Sequence, residues 1–351
     1  MIATKNSHQM ASSNVSFCCE CDDCSWYHFP NPRKMATRRY MPVRPLLAPD
    51  VVLCRDVCTD MNVVLKRNKT TPVDVDVECT IYHMLQAAGG HPNILPLLEC
   101  FHDDDSHVCL VLEYCPNGDL FDLVLANKRI GTHMSLVYFE QLASAVAALH
   151  QLGYAHGDLS LENVLLGRDM QIQLMDFGAA MPLQVPTNWA GGKRNYMAPE
   201  SFTGLPWDPA AADVWALAMT FFAMLTGDFM LDESVVNDPV YLVLVQQGFR
   251  GILQNTPQWA ALIPNAVVPL LEQMFHVDPR ARPSMETVLQ YAKFVLALLL
   301  NEEAASSSSP PATRSHSPRH KIMRPRTLYR FNDIYARIPA ATTTTAFVHC
   351  V

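Results

Sequence analysis

The run His156-Gly157-Asp158-Leu159-Ser160-Leu161-Glu162-Asn163, followed after a short apolar stretch by Asp176-Phe177-Gly178, constrains this chain more than any other segment. In order, it offers a carboxylate able to orient a hydroxyl, an amide able to ligate a metal, and a second carboxylate for that metal. A small set of hard oxygen ligands, completed by phosphate and water, is what magnesium prefers. Ala198-Pro199-Glu200 follows about twenty residues later. Any one of these motifs alone would mean little; their order and spacing carry the signal.

The surrounding pattern mixes strand and helix signals. Residues 51–53 and 63–65 are short apolar, β-branched runs around a polar turn, which predicts a hairpin. Thr71-Pro72 with Asp74 and Asp76 reads as a helix start, since proline fits the first turn and acids favour the positive end. Ile81 and Leu85 recur at helical spacing, and Gly89-Gly90 ends the helix. Residues 108–113 form a strand. Leu136, Phe139, Leu142, Val146 and Leu149 define an amphipathic helix. Residues 164–166 and 172–175 flank Gly167-Arg168-Asp169 as a second hairpin, and the chain is mostly helical from Asp213 onward.

Together these motifs resemble the catalytic loop, metal-binding loop and activation-segment end of a eukaryotic protein kinase. The resemblance implies a bilobal α+β fold, with a small β-rich N-lobe and a large helical C-lobe. It implies that Asp158 orients the attacking hydroxyl and that Asn163 and Asp176 hold Mg2+. Val63-Val64-Leu65-Lys66 looks like the third strand with its phosphate-binding lysine, with Lys69 a nearby rival. Glu78 is the acid placed to pair with Lys66, and Gly90-His91-Pro92-Asn93-Ile94 suits the entry to the fourth strand. Residues 110–120 resemble the hinge: backbone atoms of Glu113 and Cys115 would bond adenine, Leu112 would be the gatekeeper, and Asp119 would reach the ribose. Val64 and Leu165 would sandwich the base. Asp213-Val214-Trp215 resembles the buried helix that anchors the catalytic loop, and Arg282 the arginine that pairs with Glu200. The resemblance covers residues 40–298. It implies ATP- and magnesium-dependent phosphorylation of serine or threonine in proteins, with a pseudokinase scaffold as the alternative. Ala198-Pro199-Glu200 and Arg282 speak against a small-molecule kinase of related fold.

The chain departs from the family pattern in four places. The glycine-rich loop should place glycines near Arg44, Leu46 and Pro49, where the sequence reads Val43-Arg44-Pro45-Leu46-Leu47-Ala48-Pro49-Asp50. Glycines let amides approach phosphate, and prolines remove amides. Gly157 stands in place of the arginine that would read an activation-loop phosphate, so phosphorylation there, with Thr187 the hydroxyl candidate, is not expected to be the main switch. Ser160 replaces a lysine that contacts the γ-phosphate. Lys193 stands where a threonine is usual, either as an exposed loop residue or as a source of the missing charge.

Composition sets the boundaries. The chain has 351 residues, 49% hydrophobic, with a formal net charge of −8. Residues 1–50 carry 6 basic and 4 acidic side chains and residues 301–351 carry 7 and 3, leaving 13 basic against 27 acidic between them. An acidic body excludes general nucleic-acid binding, which needs Lys and Arg on phosphates. No N-terminal apolar run resembles a signal peptide, and purely apolar stretches such as residues 294–300 are short for a bilayer. An intracellular, cytoplasmic chain is expected, with its 11 cysteines reduced. Residues 1–36 read as a disordered leader, 37–301 as the kinase domain, and 302–351 as a disordered Ser/Pro/basic tail containing Ser317-Pro318. Cys18, Cys19, Cys21, Cys24 and His28 in the leader suit free or lipidated thiols better than zinc, for want of well-separated ligand loops.

Overall fold

Period-two burial builds the N-terminal sheet. In the computed structural model, which describes residues 39–46, 50–68, 76–188, 192–231 and 238–307, five antiparallel strands lie in the order β1-β2-β3-β5-β4. They are β1 (Tyr40–Pro45), β2 (Val51–Asp56), β3 (Met61–Asn68), β4 (Leu97–His102) and β5 (Val108–Glu113). Val63 and Leu65 pack on one face with Tyr40, Val52, Cys54, Cys109 and Val111. Side chains alternate along a strand, so Val64, Lys66 and Asn68 share the opposite face. The register pairs Val51 with Lys66 and Leu53 with Val64, which is the expected hairpin. The Leu46 amide donates to the Val51 carbonyl at 2.9 Å, closing the β1–β2 connection. Arg44 lies within β1, whereas Pro49 falls outside the described residues.

Helix α1 (Val77–Ala87) begins at Asp76, whose carboxylate accepts the Cys79 amide at 2.8 Å. The expected start at Thr71-Pro72, with Asp74, lies outside the described residues, as do the leader cysteines and Ser317. Gly89 and Gly90 take φ values of +93° and +78° and stop the helix, a conformation open to glycine. Ile81, Tyr82 and Leu85 bury one face against β4, β5 and the C-terminal half.

The C-lobe is helical. It holds α2 (Leu120–Asn127), α3 (Thr132–Gln151), α4 (Pro209–Thr226), α5 (Pro239–Asn255), α6 (Pro257–Ala260), α7 (Val268–Met274) and α8 (Met285–Ser307). All five periodic residues of α3 are buried. Two small antiparallel strand pairs sit at the cleft: β6 (Tyr154–Ala155) with β9 (Met181–Pro182), and the hairpin of β7 (Val164–Leu166) with β8 (Ile172–Leu174). Helix α4 is long and apolar enough to cross a bilayer, unlike any uninterrupted apolar run in the sequence. Yet 83% of it is buried inside the fold, as expected of a core helix apolar on all sides. Helix α8 overruns residue 301, the expected domain end, because Glu302, Glu303, Ala304 and Ala305 are good helix formers.

Arg282 locks the C-lobe. Its guanidinium makes two bonds to Glu200, at 2.6 and 2.8 Å, donates to the carbonyls of Ala211 and His276, and lies 5.0 Å over the Trp215 ring. The Arg282 side chain is fully buried. Removing one partner of a buried pair strands the other charge. Glu200→Ala is expected to lower unfolding free energy by about 3–5 kcal/mol, read by denaturant titration. A loss below about 1 kcal/mol, the scale of an exposed pair, would refute this role.

Candidate active site

Strand parity turns Lys66 toward α1, and the α1 start turns Glu78 toward Lys66. The Lys66 ammonium lies 2.8 Å from Glu78 and 2.7 Å from Asp176 Oδ1. Asn68, two residues further along the same strand face, donates to Glu78 Oε2 at 3.1 Å and to Asp76 at 2.9 Å. Burial pulls the Lys66 ammonium down, but the two carboxylates outweigh it and hold its pKa above the usual lysine range. Burial also works against the charge of Asp176, yet Lys66 wins and the carboxyl stays below its usual range. Glu78 goes the other way: near-complete burial dominates Lys66 and raises its pKa.

Asp176 follows β8 and Asn163 precedes β7, so the β7–β8 hairpin folds one beside the other. The Met175 amide donates to the Asn163 carbonyl at 3.0 Å. Asp176 itself has φ +66°, a left-handed conformation that an aspartate tolerates better than most residues. It lets Phe177 drop into the core, where its ring meets Tyr82 at 5.0 Å and His156 at 5.6 Å, both edge-on. Tyr82 stands four residues after Glu78, so one α1 face presents both the acid and the ring.

The catalytic-loop backbone hangs on Asp213 in α4. Its carboxylate accepts the amides of His156 and Gly157 at 2.7 and 3.0 Å, and His150 at 2.9 Å. His156 accepts the Asp158 amide on Nδ1 and donates from Nε2 to the Met175 carbonyl. Asp158 Oδ2 accepts Asn163 Nδ2 at 2.9 Å and the Lys193 ammonium at 3.3 Å, and its Oδ1 accepts the Lys193 amide at 3.2 Å. Lys193 Nζ also lies 2.9 Å from the buried Ser160 hydroxyl.

This arrangement fits a magnesium nucleotide. Asn163 spends its amide nitrogen on Asp158, leaving its oxygen for a cation. Lys66 and the Gly178 amide both contact Asp176 Oδ1, leaving Oδ2 uncommitted among the described residues. Two hard oxygens at the open end of the β7–β8 hairpin, with water and phosphate to complete the shell, are the donor set magnesium takes.

The family model of the protein kinase domain matches residues 49–294. This chain belongs to that family. Among curated proteins it is 34% identical over 217 residues to maternal embryonic leucine zipper kinase of Xenopus tropicalis, covering 61% of this chain and 29% of that protein. It is 29% identical over 229 residues to the serine/threonine-protein kinase kin-29 of Caenorhabditis briggsae, covering 64% and 26%. It is 31% identical over 222 residues to the serine/threonine-protein kinase GIN4 of Saccharomyces cerevisiae, covering 63% and 19%. The match thus spans under a third of each of these relatives.

Within this kinase domain the stretch expected to act as the hinge begins at the end of β5. Val63–Glu113 is the last pair of the β3–β5 ladder, so the chain leaves the sheet before Cys115. Val64 and Leu165 are half-buried and pack on the same core from the two lobes. Leu112, the residue expected as gatekeeper, is buried. Asp119 caps α2 by accepting the Asp122 amide at 2.8 Å, and burial raises its pKa. One carboxylate oxygen is therefore committed to the helix rather than to a ribose.

Tyr82, Asn68 and His150 were not singled out by sequence reasoning. The first two had a signal: i+4 from Glu78 on a helix and i+2 from Lys66 on a strand. His150 had none, because its partner Asp213 lies far along the chain.

Gly157 is more than a missing arginine. It has φ +78°, and a Cβ built there would meet the Ala179 carbonyl oxygen at 2.3 Å and the Met181 methyl at 2.9 Å. The start of the activation segment occupies the space an arginine stem would need. Gly157→Ala is expected to cost about 2–4 kcal/mol from left-handed backbone and overpacking together, measured by chemical denaturation. A neutral effect would show that β9 moves aside freely.

Proposed function

We propose that this chain transfers the γ-phosphoryl group of ATP, with magnesium, to serine or threonine hydroxyls of proteins. The observation that carries this is the formed Lys66–Glu78 and Lys66–Asp176 pairing above a buried Phe177. Positioning and charge neutralisation are most of what phosphoryl transfer asks of a protein. The serine/threonine assignment is supported by the names of the relatives kin-29 and GIN4.

In this reading Lys66 holds nucleotide phosphates and Glu78 holds Lys66. Asn163 and Asp176 hold the magnesium, which when bound neutralises phosphate charge. Backbone groups of Glu113 and Cys115 bond adenine, with Val64 and Leu165 against its faces, and Asp119 lies toward the ribose. Asp158 orients the substrate hydroxyl. An ionised carboxylate has about four acceptor sites; three are filled by Asn163 and Lys193, which leaves one for that hydroxyl.

The direct test is transfer from labelled ATP to generic protein substrates, with Asp158→Asn as the control. Transfer that Asp158→Asn does not reduce, or none at all, would overturn the proposal. Asp176→Asn is expected to bring transfer to background while the thermal midpoint stays close to wild type. Lys66→Met is expected to weaken ATP binding roughly 10- to 100-fold, as loss of a charged hydrogen bond to phosphate does, and to leave adenosine binding unchanged in calorimetry. If no nucleotide binds at millimolar ATP and magnesium, the fold serves as a binding module instead.

With no guanidinium at Gly157 to read a phosphate, phosphatase treatment is expected to leave the rate unchanged. A fall in rate that tracks dephosphorylation of Thr187 is the contrary result.

A further inference from the structure

Lys193 is attached to the catalytic loop by both of its ends. Its main-chain amide bonds Asp158 Oδ1 and its ammonium bonds Asp158 Oδ2, while the Ser160 hydroxyl seats the same ammonium. Gly192, just before it, has φ +100°, and a Cβ there would stand 3.1 Å from Asp158 Oδ1 and 3.2 Å from the Gly157 carbonyl oxygen. The segment therefore rests directly on Asp158. Tyr196 adds a further tie, bonding Glu162 at 3.1 Å and accepting the Leu161 amide.

Two cations thus flank the cleft. Lys66 is committed to Glu78 and Asp176 on the side of the metal carboxylate. Lys193 stands on the side of the hydroxyl-orienting carboxylate, with its side chain 36% exposed. Its ammonium has three donors, of which Asp158 and Ser160 take two. The third can bond an oxygen of the phosphoryl group in flight.

We infer that Lys193 is a catalytic cation delivered by the activation segment, reaching the place that a lysine side chain at position 160 would otherwise fill. The inference rests on the kinase reading above. In the step, the substrate hydroxyl oxygen forms the new bond to the γ-phosphorus. The bond from that phosphorus to its bridging oxygen breaks, and its electrons stay on the nucleoside diphosphate. The hydroxyl proton passes to Asp158. Lys193 bonds a non-bridging oxygen and keeps Asp158 facing the hydroxyl. Phosphoryl transfer then requires the segment to be docked, because undocking withdraws the charge itself.

The experiment compares Lys193→Met, Lys193→Arg, Ser160→Lys and the exchange Ser160→Lys/Lys193→Thr in the full chain. Three readouts are taken: kcat, calorimetric affinity for ATP against ADP with magnesium, and thermal midpoint without nucleotide. Lys193→Met is expected to lower kcat on the order of 100-fold, the scale of losing one charged donor at a reacting oxygen, and to lose several-fold of the preference for ATP over ADP. Ser160→Lys alone is expected to lower the thermal midpoint, since two ammoniums then share one seat. The exchange variant is expected to recover that midpoint and most of kcat. A Lys193→Met enzyme within about threefold of wild type in kcat, a range too small for a lost charged hydrogen bond, overturns the inference. So does an exchange variant that folds yet is no faster than Lys193→Met. If the exchange variant does not fold, Lys193→Arg decides: partial retention of kcat supports a cationic role, and a loss equal to Met overturns it. A wild-type chain that transfers no phosphate overturns the kinase reading. In that case an unchanged ATP-over-ADP preference in Lys193→Met overturns this inference as well, and a lost preference upholds the placement of the charge.

Discussion

One ammonium joins the two lobes. Lys66 on β3 takes Glu78 from α1 and Asp176 from the segment after β8, so a single cation serves two carboxylates, one from each lobe. The set has one negative charge too many when all three are ionised. The pKa directions record that imbalance: Lys66 and Asp176 favour their charged forms, while buried Glu78 resists its own. A second cation beside Asp176 would relieve it. The sheet, α1 and the β7–β8 hairpin all serve to bring these three groups together, and Phe177 under Tyr82 fixes the distance between them.

Much of this was legible because it depends on local periodicity. Strand alternation accounts for Lys66 lying on the face away from Val63 and Leu65, the β7–β8 hairpin follows from its turn residues, and helix spacing named five of the buried residues of α3. The resemblance added the long-range pairs Lys66–Glu78 and Arg282–Glu200, which no periodicity could supply. What remained hidden were contacts between segments distant in sequence whose chemistry is not family-wide. The seating of Lys193 on Ser160 is one: the sequence offers Lys193 either as an exposed loop residue or as a source of the missing charge, and no local signal chooses between them. The contact of Ala179 with Gly157 is another, because a glycine in a loop says nothing of which backbone approaches it. The start of α1 is a case of competing local signals. Thr71, Asp74 and Asp76 can all begin a helix, and the carboxylate that caps α1 is that of Asp76.

Gly157, Ser160 and Gly192-Lys193 form one connected arrangement rather than three separate departures. Without a side chain at 157, Ala179 closes down on the catalytic loop, which brings the opening of the activation segment near β6, where Ala155 pairs with Met181. Without a lysine at 160, a small hydroxyl leaves room for an ammonium arriving from the other end of the segment. Without a side chain at 192, the backbone comes close enough for the Lys193 amide to reach Asp158. Each absence opens the space that the next contact fills. The segment is thus held at its start by β6–β9 pairing and at its end by Lys193, Tyr196 and the Glu200–Arg282 pair. A charge-reading arginine in the catalytic loop would have nothing to add to this docking, because the segment's own cation already bonds Asp158, the carboxylate proposed to orient the substrate hydroxyl.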